Sequence, residues 1–175
     1  DLPKIYQADV LFGQDSDTYD MEGKTVVNKQ AKAFDKKELE ETLNNFLGKQ
    51  NQVAPIYSAK KVAGQKLYKL ARAGKPVKAP SKEIEIHELK INKFKYPNLN
   101  LLVSASAGTY IRSLAHDLGQ AMETGAMLSG LKRIAIGDFS VKNALALEEV
   151  DKTSLAKNKL AVQEVIDIIN EHLAQ

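Results

Sequence analysis

Asn98-Leu-Asn-Leu-Leu-Val-Ser-Ala-Ser-Ala-Gly-Thr-Tyr-Ile-Arg-Ser-Leu-Ala-His-Asp-Leu-Gly119 decides the fold class. Leu99, Leu101, Val103 and Ala105 fall on every second position, the period of a half-buried strand. After Gly108 the period lengthens. Ile111, Leu114, Ala115 and Leu118 share one face of a helix. A strand therefore hands over to a helix within a few residues. Upstream, Ile84 and Ile86 change parity to Leu89 and Ile91, which predicts a bulged strand or two short ones. Residues 4–12 alternate again: Tyr6, Ala8, Val10 and Phe12 point one way, Gln7 and Asp9 the other. Gly13 ends that strand, and Lys24 to Lys29 resumes as another. Asp35, with Glu38 three residues on, forms a capping box for a helix. Its stripe is Leu39, Leu43, Phe46 and Leu47, and Gly48 stops it. Downstream, Leu131–Ile136 reads as a strand, and residues 154–174 read as one closing helix. There is no regular βαβ repeat, so the expected class is α+β: a mixed, largely antiparallel sheet flanked by helices.

Composition excludes several functions. The chain has no Cys, so disulfides and thiolate zinc sites are out. His87, His116 and His172 show no metal-ligand spacing. No apolar run approaches the roughly 20 residues of a membrane helix. Without a signal-peptide pattern, a cytoplasmic home is the default expectation. The net charge of +3 says little, but its distribution says more. Nine basic residues and no acidic ones lie between Lys49 and Lys82: Lys49, Lys60, Lys61, Lys66, Lys69, Arg72, Lys75, Lys78 and Lys82. The rest of the chain carries sixteen basic against twenty-two acidic residues. A one-sided run on an acidic body points to a polyanion contact, nucleic acid above all. The bland alternative is a solvated loop.

Three groups are candidates for chemistry. Asp15, Asp17 and Asp20 resemble the start of a calcium loop. That motif needs Gly at its sixth position and Glu at its twelfth, and those are Asp20 and Val26. Capping of turns is the better reading for these carboxylates. Gly108-Thr-Tyr-Ile-Arg112 sits at the strand-to-helix junction. Gly108 permits close approach of backbone to a ligand, and the Arg112 guanidinium suits a carboxylate or phosphate. An Arg on a first helical turn is, however, most often a surface residue. Tyr6 lies on the apolar face of its strand, where core packing is the commoner role.

Four strings in register resemble the bacterial tRNA pseudouridine-55 synthase family. They are Lys4-Ile-Tyr6 with Phe12-Gly13 and Asp17-Thr-Tyr-Asp20-Met-Glu-Gly23; Gln52-Val-Ala-Pro-Ile-Tyr57-Ser-Ala-Lys60-Lys61-Val-Ala-Gly64 with Leu67-Tyr68 and Ala71-Arg72-Ala-Gly74; Gly108 to Gly119; and Gly125-Ala with Leu131-Lys-Arg133, Ile136-Gly137 and Phe139. The resemblance implies an isomerase that detaches a T-arm uracil from its ribose, turns it and reattaches it through C5. It implies an Asp nucleophile and neither metal nor cofactor. By position, Tyr6 matches the tyrosine that stacks on the flipped base. Arg112 matches the arginine that pairs with the catalytic Asp. Leu131 packs against the base, and Tyr110 lies in the same wall. Asp17 and Asp20 match the acidic loop near the cleft. The Lys49–Lys82 segment matches the RNA clamp, with Lys60, Lys61, Lys66, Tyr68, Arg72, Lys75 and Lys78 as its expected contacts. These roles agree with the chemistry: a flipped base needs an aromatic or apolar sandwich, and a carboxylate kept ionised in a cleft needs a cation.

The chain also departs from the family pattern. It begins at Asp1, and the family's Leu-Asp-Pro string, which carries the nucleophile upstream of the Lys-x-Tyr motif, is absent from it. The expectation is a fragment without its nucleophile Asp, inactive alone, marginally stable or paired with the missing segment as a separate chain. The family's Pro-Pro is Ala54-Pro55 here. The expected organisation is a catalytic domain over 1–150 with the clamp at about 49–82, then a closing helix over 151–175 and no separate C-terminal RNA-binding domain. The expected partner is the T-arm stem-loop of tRNA, with no membrane. A non-catalytic RNA-binding module and a guide-RNA-dependent relative acting on ribosomal RNA are the rival readings.

Overall fold

A computed structural model describes residues 2–58, 60–62, 64–73, 79–157, 160 and 162–173. In chain order the described strands are β1 (Lys4–Phe12), β2 (Gln14–Ser16), β3 (Thr25–Val27), β4 (Gly48–Val53), β5 (Lys61–Val62), β6 (Gln65–Lys66), β7 (Ser81–Lys95), β8 (Asn98–Ala105), β9 (Ala126–Ile136) and β10 (Phe139–Ser140). The helices are α1 (Lys36–Asn44), α2 (Leu67–Arg72), α3 (Ile111–Ala121), α4 (Lys152–Lys157) and α5 (Val162–Leu173). Six strands form the main sheet in the order β10-β9-β1-β8-β7-β4. Every neighbouring pair in it is antiparallel. The class is α+β, as the sequence predicts.

One face of this sheet is apolar. Ala8, Val10 and Phe12 of β1 meet Leu101 and Val103 of β8, and Ile111, Leu114, Ala115 and Leu118 of α3 cover them. Leu118 and Val103 are fully buried. Each such side chain contributes about 1.5–3 kcal/mol of burial, so this seam fixes where α3 lies. The opposite face is more polar, with Gln7, Asp9 and Asn100 beside the partly buried Ile5, Leu11 and Leu102. Asn100 donates to Asp9 and accepts from Asn92 across three strands. The period-2 alternation of β1 and β8 is the direct cause of this two-sided character.

The local signals hold at α1. Asp35 accepts from the Glu38 amide at 2.9 Å, and Glu38 accepts from the Asp35 amide at 2.9 Å. Leu39 and Leu43 are buried beneath it, whereas Leu47 is exposed. The helix ends earlier than expected, at Asn44 with Asn45 as its C-cap, and Gly48, with a positive φ of 85°, opens β4 instead. The parity change in β7 is a bulge within one continuous strand: the register with β8 shifts between Ile86 and Glu88 and again between Ile91 and Lys93.

Three elements differ from expectation. The basic segment begins as an edge strand, because Gly48–Val53 pairs with Ser81–Ile86. The strand expected at Leu131 starts at Ala126, since Ala126, Met127 and Leu128 are all buried and show no alternation to read. The closing helix is two helices separated at Leu160, the first beginning at Lys152. Asp151 and Ser154 bond reciprocally, amide to side chain, and this cap starts the helix two residues early. Among the described residues no helix is long and apolar enough to cross a membrane.

Candidate active site at the start of α3

Gly108, with φ of 85°, turns the chain from β8 toward α3. A side chain there would strike the Lys82 ammonium. Tyr110 is the N-cap of α3, with extended backbone and no side-chain cap. Arg112, on the first turn, therefore points back over the loop that follows β2.

Arg112 spends its donors on three acceptors. Nη1 lies 2.7 Å from Asp20 Oδ2 and 3.2 Å from the Thr18 carbonyl. Nη2 donates to the Tyr57 carbonyl at 3.1 Å. Both side chains of the ion pair are largely enclosed, at 26% exposed for Arg112 and 18% for Asp20. The other oxygen of Asp20 accepts from the Thr18 hydroxyl at 2.6 Å and the Glu22 amide at 3.1 Å. Burial alone would raise the Asp20 carboxyl, but these two bonds and the Arg112 guanidinium outweigh it and hold it below the usual carboxylate range.

The acidic loop is built to hold that geometry. Asp17 accepts from the Lys24 amide at 2.8 Å, closing the turn. A side chain on Gly23 would collide with oxygens of Asp17, Thr18 and Ser16, so only glycine fits. Tyr19 sits at a positive φ of 63°, and its carbonyl accepts from the Leu128 amide. Its ring stacks on His116 at 3.9 Å between centroids. His116 Nδ1 lies 2.9 Å from Asp15 Oδ1. Burial raises the Tyr19 hydroxyl, and Asp117 and Asp15 add to that. Burial likewise raises the neighbouring Asp117 carboxyl, against the opposing pull of His116.

Asp17, Tyr57, Ser58, Tyr68, Tyr110 and Arg112 are among the residues lining a cleft of about 600 Å³. The structure thus unites Tyr110, Arg112, Asp17 and Tyr68, with Asp20 behind Arg112. Tyr6 and Leu131 are neighbours of another kind. Tyr6 faces Arg133 and Ala8 faces Leu131 across β1 and β9, so Tyr6 and Leu131 are diagonal on one sheet face. Leu131 is 49% exposed. Neither lines the cleft. Within the basic segment, Lys60 is partly exposed. Lys66 is exposed, its ammonium 5.8 Å from the centre of the Tyr68 ring. Lys61 lies on β5 and Arg72 ends α2. Lys75 and Lys78 lie outside the described residues. Among the described residues no cluster of His, Asp and Glu could hold a metal ion.

Sequence reasoning missed three participants. Thr18 orients Asp20, and its place between two Asp residues is a recognisable side-chain turn signal. Tyr57 reaches Arg112 through its carbonyl, which no sequence pattern reports. Gln52 bonds the backbone of Tyr110 from 58 residues away.

Known proteins resemble this chain over most of its length. The family described as TruB family pseudouridylate synthase (N terminal domain) matches residues 1–111. The tRNA pseudouridylate synthase B C-terminal domain matches residues 112–173. The tRNA pseudouridine synthase B of Psychrobacter cryohalolentis is 37% identical over 174 residues, covering 98% of this chain and 48% of that protein. The enzyme of the same name from Clostridium kluyveri is 36% identical over 163 residues, covering 93% and 56%. The chain thus spans about half the length of the curated relatives it matches. Among solved structures, that of a Cbf5-Nop10-Gar1 complex superimposes with a TM-score of 0.61 at 20% identity, covering 89% of this chain and 37% of the other. That likeness concerns the fold alone. With its N-terminal model matched over more than half the sequence, the chain belongs to the TruB family of pseudouridylate synthases.

Proposed function

We propose that this chain forms much of the catalytic core of a cytoplasmic tRNA pseudouridine synthase, which converts the T-loop uridine at tRNA position 55 to pseudouridine. The observation that carries the reading is the Arg112–Asp20 pair, enclosed beside a tyrosine-lined cleft to which the basic segment itself contributes Tyr57, Ser58 and Tyr68.

In this reading the T-arm is gripped by the basic segment through its phosphates, a sequence-independent and salt-sensitive contact. Lys60, Lys61, Lys66, Arg72, Lys75 and Lys78 supply the charge, and Tyr68 offers a ring for stacking. The target uridine is drawn out of its loop. Tyr6 and Leu131, diagonal on one sheet face outside the cleft, sandwich the uracil, and Tyr110 supplies the cleft wall. The N-glycosidic bond breaks, the uracil turns, and C5 bonds to the ribose C1′. The proton on C5 is lost and N1 gains one, so no redox partner is needed. Tyr6 is positioned by this reading to assist proton removal from C5. The nucleophile is an Asp carboxylate, which Arg112 keeps ionised; Asp20 holds the guanidinium in place, and Asp17 closes the loop that carries Asp20. A positioned charge of this kind contributes about 10²–10³ in rate.

The test is base-resolved pseudouridine mapping of unmodified tRNA treated with the full-length protein, without guide RNA. Pseudouridine at the T-loop uridine is the expected result. Tight RNA binding with no isomerisation would favour the non-catalytic module, and a strict need for guide RNA would favour the ribosomal-RNA relative.

A further inference from the structure

The first turn of α3 is fixed from outside itself. Tyr110 provides no side-chain cap. Its place is taken by the carboxamide of Gln52, on edge strand β4. Gln52 Oε1 accepts from the Tyr110 amide at 2.8 Å, and Gln52 Nε2 donates to the Tyr110 carbonyl at 3.0 Å. That carbonyl also accepts the first helical bond, from the Leu114 amide. Gln52 is 5% exposed, so water is poorly placed to replace it. A buried amide that meets both a donor and an acceptor of one residue fixes its orientation as well as its position.

The residues after Gln52 continue the attachment. The Val53 carbonyl accepts from the Ser113 hydroxyl at 2.9 Å, and the Tyr57 carbonyl accepts from Arg112 Nη2. Four hydrogen bonds thus join the stretch 52–57 to residues 110–113. From Lys60 the same segment carries most of its basic residues. Opposite Gln52 on β7, Lys82 donates to the Ala107 carbonyl, holding the preceding turn from the same pair of strands.

We infer that Gln52 is a positioning residue, which sets the aim of Arg112 and ties it mechanically to the segment that grips RNA. The inference rests on the reading of Arg112 as an active-site group. Gln52 touches no substrate here. It acts through the Tyr110 backbone, two residues from Arg112. A misplacement near 1 Å at such a group lowers rate by about 10²-fold without requiring a change in affinity.

The experiment uses the full-length protein and a T-arm stem-loop RNA. Q52M keeps side-chain length and removes both hydrogen bonds. Q52E keeps the acceptor and loses the donor. Single-turnover rates at saturating RNA and RNA dissociation constants are measured below each variant's melting temperature. R112K, alone and combined with Q52E, completes a double-mutant cycle. Expected are rate losses of about 10²-fold for both Gln52 variants, with dissociation constants within about threefold and little further loss when Q52E is added to R112K. Rates near wild type in a folded Q52E protein would overturn the inference. So would losses that multiply fully with R112K, or an affinity loss large enough to account for the rate. If R112K itself turns over like wild type, the reading of Arg112 fails and takes this inference with it. An impaired R112K beside an unimpaired Q52E sinks the inference alone.

Discussion

The start of α3 and the basic segment are built in opposite ways. The first turn of α3 hangs on the apolar seam, with Ile111, Leu114, Ala115 and Leu118 buried against the sheet and Arg112 bonded to three acceptors. The basic segment beyond β4 has short elements, a two-residue hairpin and a six-residue helix, and Leu67 is its deeply buried aliphatic anchor among the described residues. One region is positioned by packing, the other presents charge. The lesson is a division of labour: chemistry that tolerates little displacement sits on the rigid sheet-and-helix scaffold, and a phosphate grip that tolerates much sits on an appended segment.

That contrast can be broken first at the seam. Leu118→Ala leaves a cavity under α3 and is expected to cost about 2–5 kcal/mol of stability in denaturant unfolding. A cost below about 1 kcal/mol would mean that the seam does not fix the helix. The segment is next. Replacing Lys60, Lys61 and Lys66 together by Ala should weaken RNA binding about tenfold or more. It should also flatten the plot of log affinity against log salt, by about 0.7–0.9 for each phosphate that is no longer neutralised. Turnover at saturating RNA should be unchanged; a matching fall in that rate would merge the two regions into one.

Smaller effects sharpen the picture. Asp20 has its carboxyl depressed in the folded protein, so its stabilising contribution is present above the unfolded carboxylate range, near 3.9. It is lost as pH falls through the lower, folded value. Thermal melts below about pH 4 should therefore drop less steeply for Asp20→Asn than for wild type. Parallel curves would show that Asp20 titrates alike folded and unfolded. Last, Asp35→Ala removes the cap of α1 and should cost about 1 kcal/mol with no effect on turnover, because α1 stands apart from the cleft.

Much of the fold is legible in the sequence because burial writes a period. β1 and β8 alternate cleanly, the capping box of α1 lies within four residues, and the parity change from Ile86 to Leu89 marks a real bulge. Legibility fails where the period is missing. β4 reads Gly-Lys-Gln-Asn-Gln-Val, a polar edge strand whose one buried residue is Gln52. The first residues of β9 are buried on both faces and give no alternation either. The site divides similarly. Arg112 stands out through its place after Gly108, and Asp20 through the family pattern. Their pairing, the Tyr57 carbonyl and the Gln52 clamp are tertiary meetings across 92, 55 and 58 residues, and nothing local encodes them.

The most direct test of the account is pseudouridine formation in a T-arm stem-loop by the full-length protein and by its Arg112→Ala variant, with RNA affinity measured alongside. The account predicts product from wild type and a loss of at least about 10²-fold in rate for the variant at nearly unchanged affinity. Equal rates from the two proteins would contradict it.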